Sequence, residues 1–213
     1  AVYDLGYSFQ IDSLKASDVT ILSDHIGKGS FAQIVYQAEP ISSVWARLED
    51  GTLACMTYKR DQNVVGWTPV VLAATAGGAA VVESVSVIPG NNDAGQVYNS
   101  INRDEVWMIV RRTVNGSTKR YVEMMEGYFD GPNRATYLDK SEWRAAMKAA
   151  QVDTFYVDCG LTYSGAATTT ISNLSHLAGE TVKVVADGAV QADKTVSGGA
   201  ITLDLAASKV QVG

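Results

Sequence analysis

Two stretches of alternating apolar and polar residues, each divided by a turn sequence that favours positive φ, predict antiparallel β-hairpins in this chain. In the first stretch, Ser42–Leu48 (SSVWARL) and Thr52–Tyr58 (TLACMTY) flank the pair Asp50-Gly51. Asp-Gly tolerates the positive φ of tight hairpin turns, and a strand places alternate side chains on opposite faces of its sheet. Both faces of this hairpin are apolar, which predicts a sheet that is covered on both sides.

The second stretch follows the same plan. Asp104–Val114 (DEVWMIVRRTV) and Ser117–Met125 (STKRYVEMM) flank the pair Asn115-Gly116. The apolar residues that we expect on the core-facing side of this hairpin are Val106, Met108 and Val110 on the first strand and Val122 and Met124 on the second. The basic residues near its turn, which we expect to solvate the hairpin tip, are Arg111, Arg112, Lys119 and Arg120.

Each hairpin is preceded by another apolar run, and the first is also followed by one (NVVGW), so each unit has three or four short strands. Alignment of Val44 with Val106 gives an internal offset of 62 residues. This pattern is typical of propeller blades, with the extra length placed in loops at Gly77-Gly78 and Pro89–Asn102. We therefore predict that residues 1–135 form a propeller-like antiparallel β region, part of a larger domain.

A helix separates this region from the remainder of the chain. Asp139 and Glu142 resemble a capping box, and Trp143, Met147 and Ala150 form one apolar stripe, which predicts a helical linker over residues 136–156. Residues 157–213 are rich in Thr, Val, Ala and Gly and predict a small β-barrel domain. Its predicted strands are 167–171, 181–186, 189–191, 200–203 and 209–212, with turns at Asp187-Gly188 and Gly198-Gly199. The predicted fold class is mainly β.

Composition excludes several classes of protein. With 46% hydrophobic and 19% charged residues, the 213-residue chain is expected to fold. No apolar run approaches the roughly 20 residues of a membrane-spanning helix, and a net charge of −6 argues against tight nucleic-acid binding. The sequence begins with Ala1 and shows no signal segment, so we expect a fragment of a longer chain.

One segment invites a catalytic interpretation. His25–Gln37 (HIGKGSFAQIVYQ) is similar to the glycine-rich loop of protein kinases, with Gly27 and Gly29 in the first two glycine positions. Ala32 replaces the third glycine, and the run from Phe31 to Tyr58 contains no lysine that could reach ATP phosphates. We therefore interpret the segment before it as a helix with Ser17 as N-cap that ends at Gly27.

The cysteines and histidines do not form a recognised motif. Cys55 and Cys159 lack a C-x-x-C spacing, and neither they nor His25 and His176 lie at a metal-ligand spacing. We interpret Cys55 as a core side chain and His176 as a structural histidine, because neither has a catalytic partner nearby in sequence. A disulfide between the two cysteines remains open at this point. We predict no catalytic residue, no cofactor and no metal, hence no enzyme.

The order of these segments resembles the nozzle or tail-hub proteins (tail-tube, DNA-stabilisation type) of tailed bacteriophages. The most specific part is the block from Trp45 to Trp67, with its DGTL turn and TYKRDQNVVGW end, together with His176–Gly188 (HLAGETVKVVADG). The latter segment also resembles the β-barrel first catalytic cysteine half-domain of ubiquitin-activating enzymes. The chain has neither a G-x-G-x-x-G after a strand nor an activated cysteine, so that likeness implies no activating activity.

The resemblance implies a structural component of the virion, made in the bacterial cytoplasm and located in the phage tail. It implies a homo-oligomeric ring that forms part of the DNA exit conduit and contacts other tail or portal-adaptor proteins. An alternative from a different class is a β-scaffold module that binds a glycan or host receptor through the Pro89–Asn102 loop, since loops on rigid scaffolds commonly carry binding.

Overall fold

The structure, a computed structural model, describes residues 1–62, 64–73, 79–89, 103–127, 129, 131–132 and 136–213. The described part is mainly β, with antiparallel pairing throughout, as predicted. The strands are β1 Tyr3–Ser8, β2 Ser13–Asp18, β3 Phe31–Gln37, β4 Ser43–Leu48, β5 Leu53–Lys59, β6 Val64–Val70, β7 Val81–Ile88, β8 Glu105–Val114, β9 Ser117–Met124, β10 Leu161–Ile171, β11 Thr181–Ala186, β12 Ala189–Thr195 and β13 Ile201–Val212. The α-helix in the described part is α1, Lys140–Ala150.

Both predicted hairpins are present, and each is part of a larger sheet. The first sheet has the order β3-β4-β5-β6 and the second the order β7-β8-β9. The two sheets stack on each other through a core that includes Trp45 and Leu53 from the first and Val85, Met108 and Val110 from the second. Stacked antiparallel sheets of this kind are what the propeller-like prediction requires of adjacent blades.

The first sheet is covered on both faces, as its sequence predicted. The face opposite the second sheet carries Ala46, Ala54, Met56 and Trp67, which pack with apolar residues of the N-terminal segment, including Val19. The indole Nε1 of Trp67 donates a hydrogen bond to the carbonyl oxygen of Val19 at 2.9 Å, so the segment is fixed by a directional contact as well as by apolar packing.

The predicted faces of the second hairpin are correct for β8 and wrong for β9. Val106, Met108 and Val110 are buried between the sheets, but Val122 and Met124 lie on the opposite, exposed face. The reason is the two-residue Asn115-Gly116 turn, which pairs Val114 with Ser117 and therefore places Val122 opposite Ile109. A shift of one residue in register moves every side chain to the other face.

The N-terminal helix prediction is also wrong. Ser17, the expected N-cap, lies in β2 and pairs with Asp4 of β1, and a 3₁₀ turn occupies Gly27–Gly29. The Asp18 carboxylate accepts hydrogen bonds from the backbone N–H of Thr20 at 2.8 Å and from its hydroxyl at 2.5 Å. These bonds close a local turn that competes with a helix start at this position.

Side-chain amides connect the stacked sheets. The Gln33 amide donates to the carbonyl of Val85 at 2.8 Å and accepts from the Val85 N–H at 3.1 Å, next to an irregularity in β7. Gln37 accepts from the buried Trp45 Nε1 at 2.9 Å and donates to the carbonyl of Asp104 at 3.0 Å. Because both amides bond to backbone groups of β7 or of the residue before β8, they fix one relative position of the two sheets.

The predicted helix is confirmed. The Asp139 side chain accepts hydrogen bonds from the backbone N–H of Ser141 at 2.5 Å and of Glu142 at 3.3 Å, which satisfies two N–H groups of the first turn. Its inner stripe contains the half-buried Trp143 and Met147 and the buried Ala150, as predicted.

The C-terminal unit is a four-stranded sheet, β10-β13-β11-β12, with its own core. The two strands predicted at 200–203 and 209–212 are one long strand, β13, which pairs with β10 across two shifts of register. The sheet does not close into a barrel within residues 161–212. At the opening, the side chain of Gln191 on β12 accepts from the Asp204 N–H at 3.1 Å and approaches the Leu205 carbonyl at 3.5 Å. The domain boundaries at 135 and 157 stay predictions.

Candidate functional site

The β1–β2 hairpin exposes an apolar surface that sequence analysis did not identify. Pairing of Tyr7 with Leu14 and of Leu5 with Ala16 places these four residues, with Tyr3, on one face of the hairpin. The large apolar side chains of the hairpin and its loop are 51% to 90% exposed: Tyr3, Leu5, Tyr7, Phe9, Ile11 and Leu14. We name these six residues the hairpin face. An exposed apolar surface of this kind is a candidate interaction surface.

The other side of the hairpin is polar and is held by Arg60, which follows β5. The Arg60 guanidinium forms an ion pair with Asp4 at 3.3 Å and lies directly against the buried Gly6, where an added Cβ would require the guanidinium to move. At the base of the hairpin, the Val19 N–H donates to the Val2 carbonyl at 3.0 Å. The hairpin is therefore oriented with its polar side toward Arg60 and its apolar side toward solvent.

A buried ion-pair cluster lies where the second sheet meets the C-terminal unit. Arg112 is 3% exposed; its Nε and Nη2 each lie 2.6 Å from an oxygen of Glu123, and Nη2 lies 2.6 Å from an Asp158 oxygen. Arg112 also donates to the carbonyl of Ala73, and the Ala73 N–H donates to Asp158. The prediction that Arg112 solvates the hairpin tip is wrong, because Arg112 shares the inward face of β8 with Val110 and Val114.

The carboxylates around Arg112 determine its charge. Burial lowers the pKa of the Arg112 guanidinium, but the hydrogen bond to Glu123 and the charges of Asp158 and Glu123 outweigh this effect and raise the pKa above its ordinary value. Arg112 is therefore always protonated. A fully paired guanidinium of this kind joins β8, β9 and the segment before β10 as a structural element.

Cys159 and His176 are neighbours in the fold. The His176 Nε2 donates to the carbonyl oxygen of Cys159 at 2.9 Å, so the imidazole contacts the Cys159 backbone. Burial raises the pKa of the Cys159 thiol to about 11; the Arg112 charge lowers it, and Glu123 and Asp158 raise it. The thiol is protonated at neutral pH, and a protonated thiol is a poor nucleophile.

The other sequence candidates lie apart from this pair. Cys55 packs against the core between the two sheets, and burial raises the pKa of its thiol. Cys55 and Cys159 are both free, so the disulfide left open by the sequence is not formed. Within the described part of the chain, no three His, Cys, Asp or Glu side chains are placed to hold a metal ion together.

An open groove of about 680 Å³ runs along β9 next to Cys159. Its apolar lining includes Leu72, Val122, Met124, Phe155 and Leu161. The groove also contains the Glu123 and Asp158 carboxylates, which are already occupied by Arg112. It offers apolar surface and the carboxylate of Glu126, which accepts a hydrogen bond from the Gly127 N–H at 3.3 Å.

Two further sequence features bear on binding. Of the Pro89–Asn102 loop proposed for ligand binding, residues 90–102 lie outside the described residues, so that alternative stays a prediction. Gly77 and Gly78 of the other predicted loop also lie outside the described residues. No helix in the described ranges has both the length and the apolar character needed to span a membrane.

Comparison with models of known protein families finds no match, and comparison with curated protein sequences finds none either.

Proposed function

We propose that this chain is a structural component of a bacteriophage tail, a nozzle or hub subunit that works by assembly into a homo-oligomeric ring and carries out no catalysis. The observation that carries the proposal is the hairpin face, which presents six large apolar side chains to solvent. Exposed patches made of several large apolar side chains are typical of interaction sites. A subunit of a ring must bury such a surface against its neighbours.

The packing of the stacked sheets supports a mechanical role. Buried amides and the Arg112 cluster connect the sheets and the C-terminal unit by directional bonds. Polar networks that are satisfied in this way favour one rigid arrangement, as a subunit of a conduit requires. The raised pKa of the Cys159 thiol agrees with the absence of nucleophilic chemistry at this position.

Charge supports passage of DNA rather than its retention. A net charge of −6 gives a wall that repels phosphates on average. We expect fluorescence anisotropy of a labelled duplex to show no tight binding at about 0.15 M salt, the ionic strength at which the Debye length is about 8 Å. Tight binding at this salt concentration would contradict the conduit proposal.

Negative-stain electron microscopy of the concentrated protein tests the assembly directly. The proposal predicts closed rings with a central opening and a single rotational symmetry. A field of isolated 22.7 kDa particles at every concentration would contradict it. In that case, binding to host surface glycans would be tested next, with and without residues 90–102.

A further inference from the structure

The edge of β9 that faces away from β8 carries unpaired backbone groups. The Met125 N–H donates to the Val106 carbonyl at 2.9 Å, so the odd-numbered residues of β9 direct their backbone groups toward β8. Val122 and Met124 lie between these positions and direct their N–H and C=O groups away from β8. No hydrogen bond within the described residues uses the backbone of Val122 or Met124 on this side. Such a row of donors and acceptors is a template for one more strand.

Other sheet edges of the chain have features that oppose strand addition. Pro69 lies in β6, at one edge of the first sheet, and proline has no N–H to donate. At the β7 edge of the second sheet, the side chain of Gln33 bonds to both an N–H and a carbonyl of the strand. On β9 itself, Lys119 and Arg120 lie in the first half, whereas residues 121–124 include no basic side chain. The second half of β9 is therefore the open part of this edge.

The open part of β9 borders the groove. The groove has a volume of about 680 Å³, and residues of β9 and of the segment before β10 line it. Ligand sites in proteins have volumes of about 300–1,000 Å³. Val122 and Tyr156, which both line the groove, are 71% and 82% exposed. The groove thus offers apolar surface to the alternate side chains of an added strand.

We propose that this groove binds an extended segment of a partner protein, which pairs with β9 and adds a fourth strand to the second sheet. The first sheet already has this form, because β6 pairs with β5 after the β4–β5 hairpin. Within the described residues, the second sheet has no strand in the position equivalent to β6. In strand addition, main-chain hydrogen bonds supply affinity and alternate side chains supply specificity. The inference goes beyond the proposed function, since it concerns a contact with a different polypeptide.

Charge determines the kind of segment that fits the groove. The described lining contains three carboxylates and no lysine or arginine. Arg112 already pairs with Glu123 and Asp158. The third carboxylate, Glu126, accepts a hydrogen bond from the N–H of Gly127 at 3.3 Å and belongs to no ion pair among the described residues. The matching segment therefore alternates β-branched and polar residues and has a basic residue at one end. A second copy of this chain is a poorer match, because its net charge is −6.

A short synthetic peptide tests the proposal on the full chain. The probe is a fluorescein-labelled peptide of sequence Lys-Val-Thr-Val-Thr-Val-Thr, which has the alternation and the basic end. Fluorescence anisotropy should show saturable binding with a Kd below about 1 mM. A control peptide with methylated backbone nitrogens keeps the side chains but cannot donate hydrogen bonds to β9, so it should not bind.

Two substitutions at the groove and one outside it identify the edge. Val122→Pro removes an outward N–H without loss of a bond to β8, which an edge strand tolerates, and should weaken peptide binding at least tenfold. Glu126→Gln removes the carboxylate and should weaken binding about two- to fivefold, as an exposed ion pair does. Thr118→Pro is the matched control, because Thr118 has the same outward orientation but does not line the groove, and binding should not change. Circular dichroism verifies that each variant is folded, and Glu126→Gln keeps the test decisive if Val122→Pro does not fold.

Hydrogen exchange followed by nuclear magnetic resonance locates the bound peptide. The N–H groups of Val122 and Met124 should exchange at least tenfold more slowly at saturating peptide, because they gain acceptors. The N–H group of Thr118 should exchange at the same rate with and without peptide.

The outcomes separate this inference from the proposed function. No saturable binding by wild type, or equal binding of the methylated peptide, overturns strand addition at β9. Protection of the Val122 N–H that rises with protein concentration in the absence of peptide would make a second copy the occupant and would also overturn it. Rings without peptide binding leave the proposed function standing alone. Peptide binding by a chain that is monomeric at every concentration supports strand addition and refutes the ring.

Discussion

Removal of the Arg112 guanidinium should be among the most damaging single changes to this fold. We consider Arg112→Met, which keeps the length of the apolar stem but deletes the charge. The Glu123 and Asp158 carboxylates both lie 2.6 Å from Nη2, so the substitution leaves two negative groups close together without their shared cation. The Ala73 carbonyl loses its donor as well.

The magnitude follows from the burial of the three side chains. Removal of one partner of a buried ion pair costs about 3–5 kcal/mol. Glu123 and Asp158 are 16% and 29% exposed, which allows some water to reach them, so we place the loss of unfolding free energy at the lower end, about 3 kcal/mol. With a urea m-value near the upper end of the usual range of about 1–3 kcal/mol/M, the unfolding midpoint falls by about 1 M.

Urea denaturation followed by tryptophan fluorescence measures this loss. Arg120→Met is the matched control, because Arg120 pairs with Glu83 at 2.6 Å but is two-thirds exposed. Exposed pairs contribute only about 0–1 kcal/mol. If Arg112→Met lost no more stability than Arg120→Met, the cluster would not hold the C-terminal unit to the second sheet, and the reasoning would be refuted.

Three further predictions test other parts of the account. Gln37→Leu should destabilise the chain by about 2 kcal/mol in thermal unfolding, because it leaves the buried Trp45 Nε1 without an acceptor; an unchanged melting temperature would contradict this. Hydrogen bonds from the Thr52 hydroxyl and N–H lower the pKa of Asp50, so their stabilisation is present above the ordinary pKa of about 3.9 and is lost as pH falls below it. Asp50→Asn should therefore flatten the decline of stability below about pH 4, and an identical acid profile would refute the assignment. The pKa of the Cys159 thiol is about 11, so Cys159 should react with iodoacetamide at pH 8 about 200-fold more slowly in the native chain than in denaturant. Mass spectrometry of the labelled peptide measures both rates, and equal rates would show that the thiol is not buried.

The hairpins could be predicted because their signals are local. Asn115 and Gly116 both have positive φ, as the two-residue turn requires, and the strands on either side of it extend as the alternation indicated. The error at Val122 and Met124 arose one step later. The turn fixes Val114 opposite Ser117, and every later pair then follows one residue at a time, so that Val122 lies opposite Ile109. The sequence therefore contained enough information to predict the face of each β9 residue.

The exposed apolar surface of the β1–β2 hairpin and the ion-pair cluster were harder to predict. Arg112 has the same parity as Val106, Met108 and Val110, which was a usable signal for burial, but its partner Asp158 lies 46 residues away and only the fold brings them together. The β1–β2 hairpin was missed because its apolar residues face solvent. Amphipathic patterns are interpreted on the assumption that apolar residues face the core, and that assumption fails for a surface that a second molecule covers.

Molar mass in solution over a range of concentrations tests the central claim most directly. Light scattering coupled to gel filtration should give a defined multiple of 22.7 kDa that becomes more populated as concentration rises. A mass of 22.7 kDa at every concentration, with Leu5 and Leu14 equally exposed to solvent in hydroxyl-radical footprinting of dilute and concentrated samples, would contradict assembly through the hairpin face.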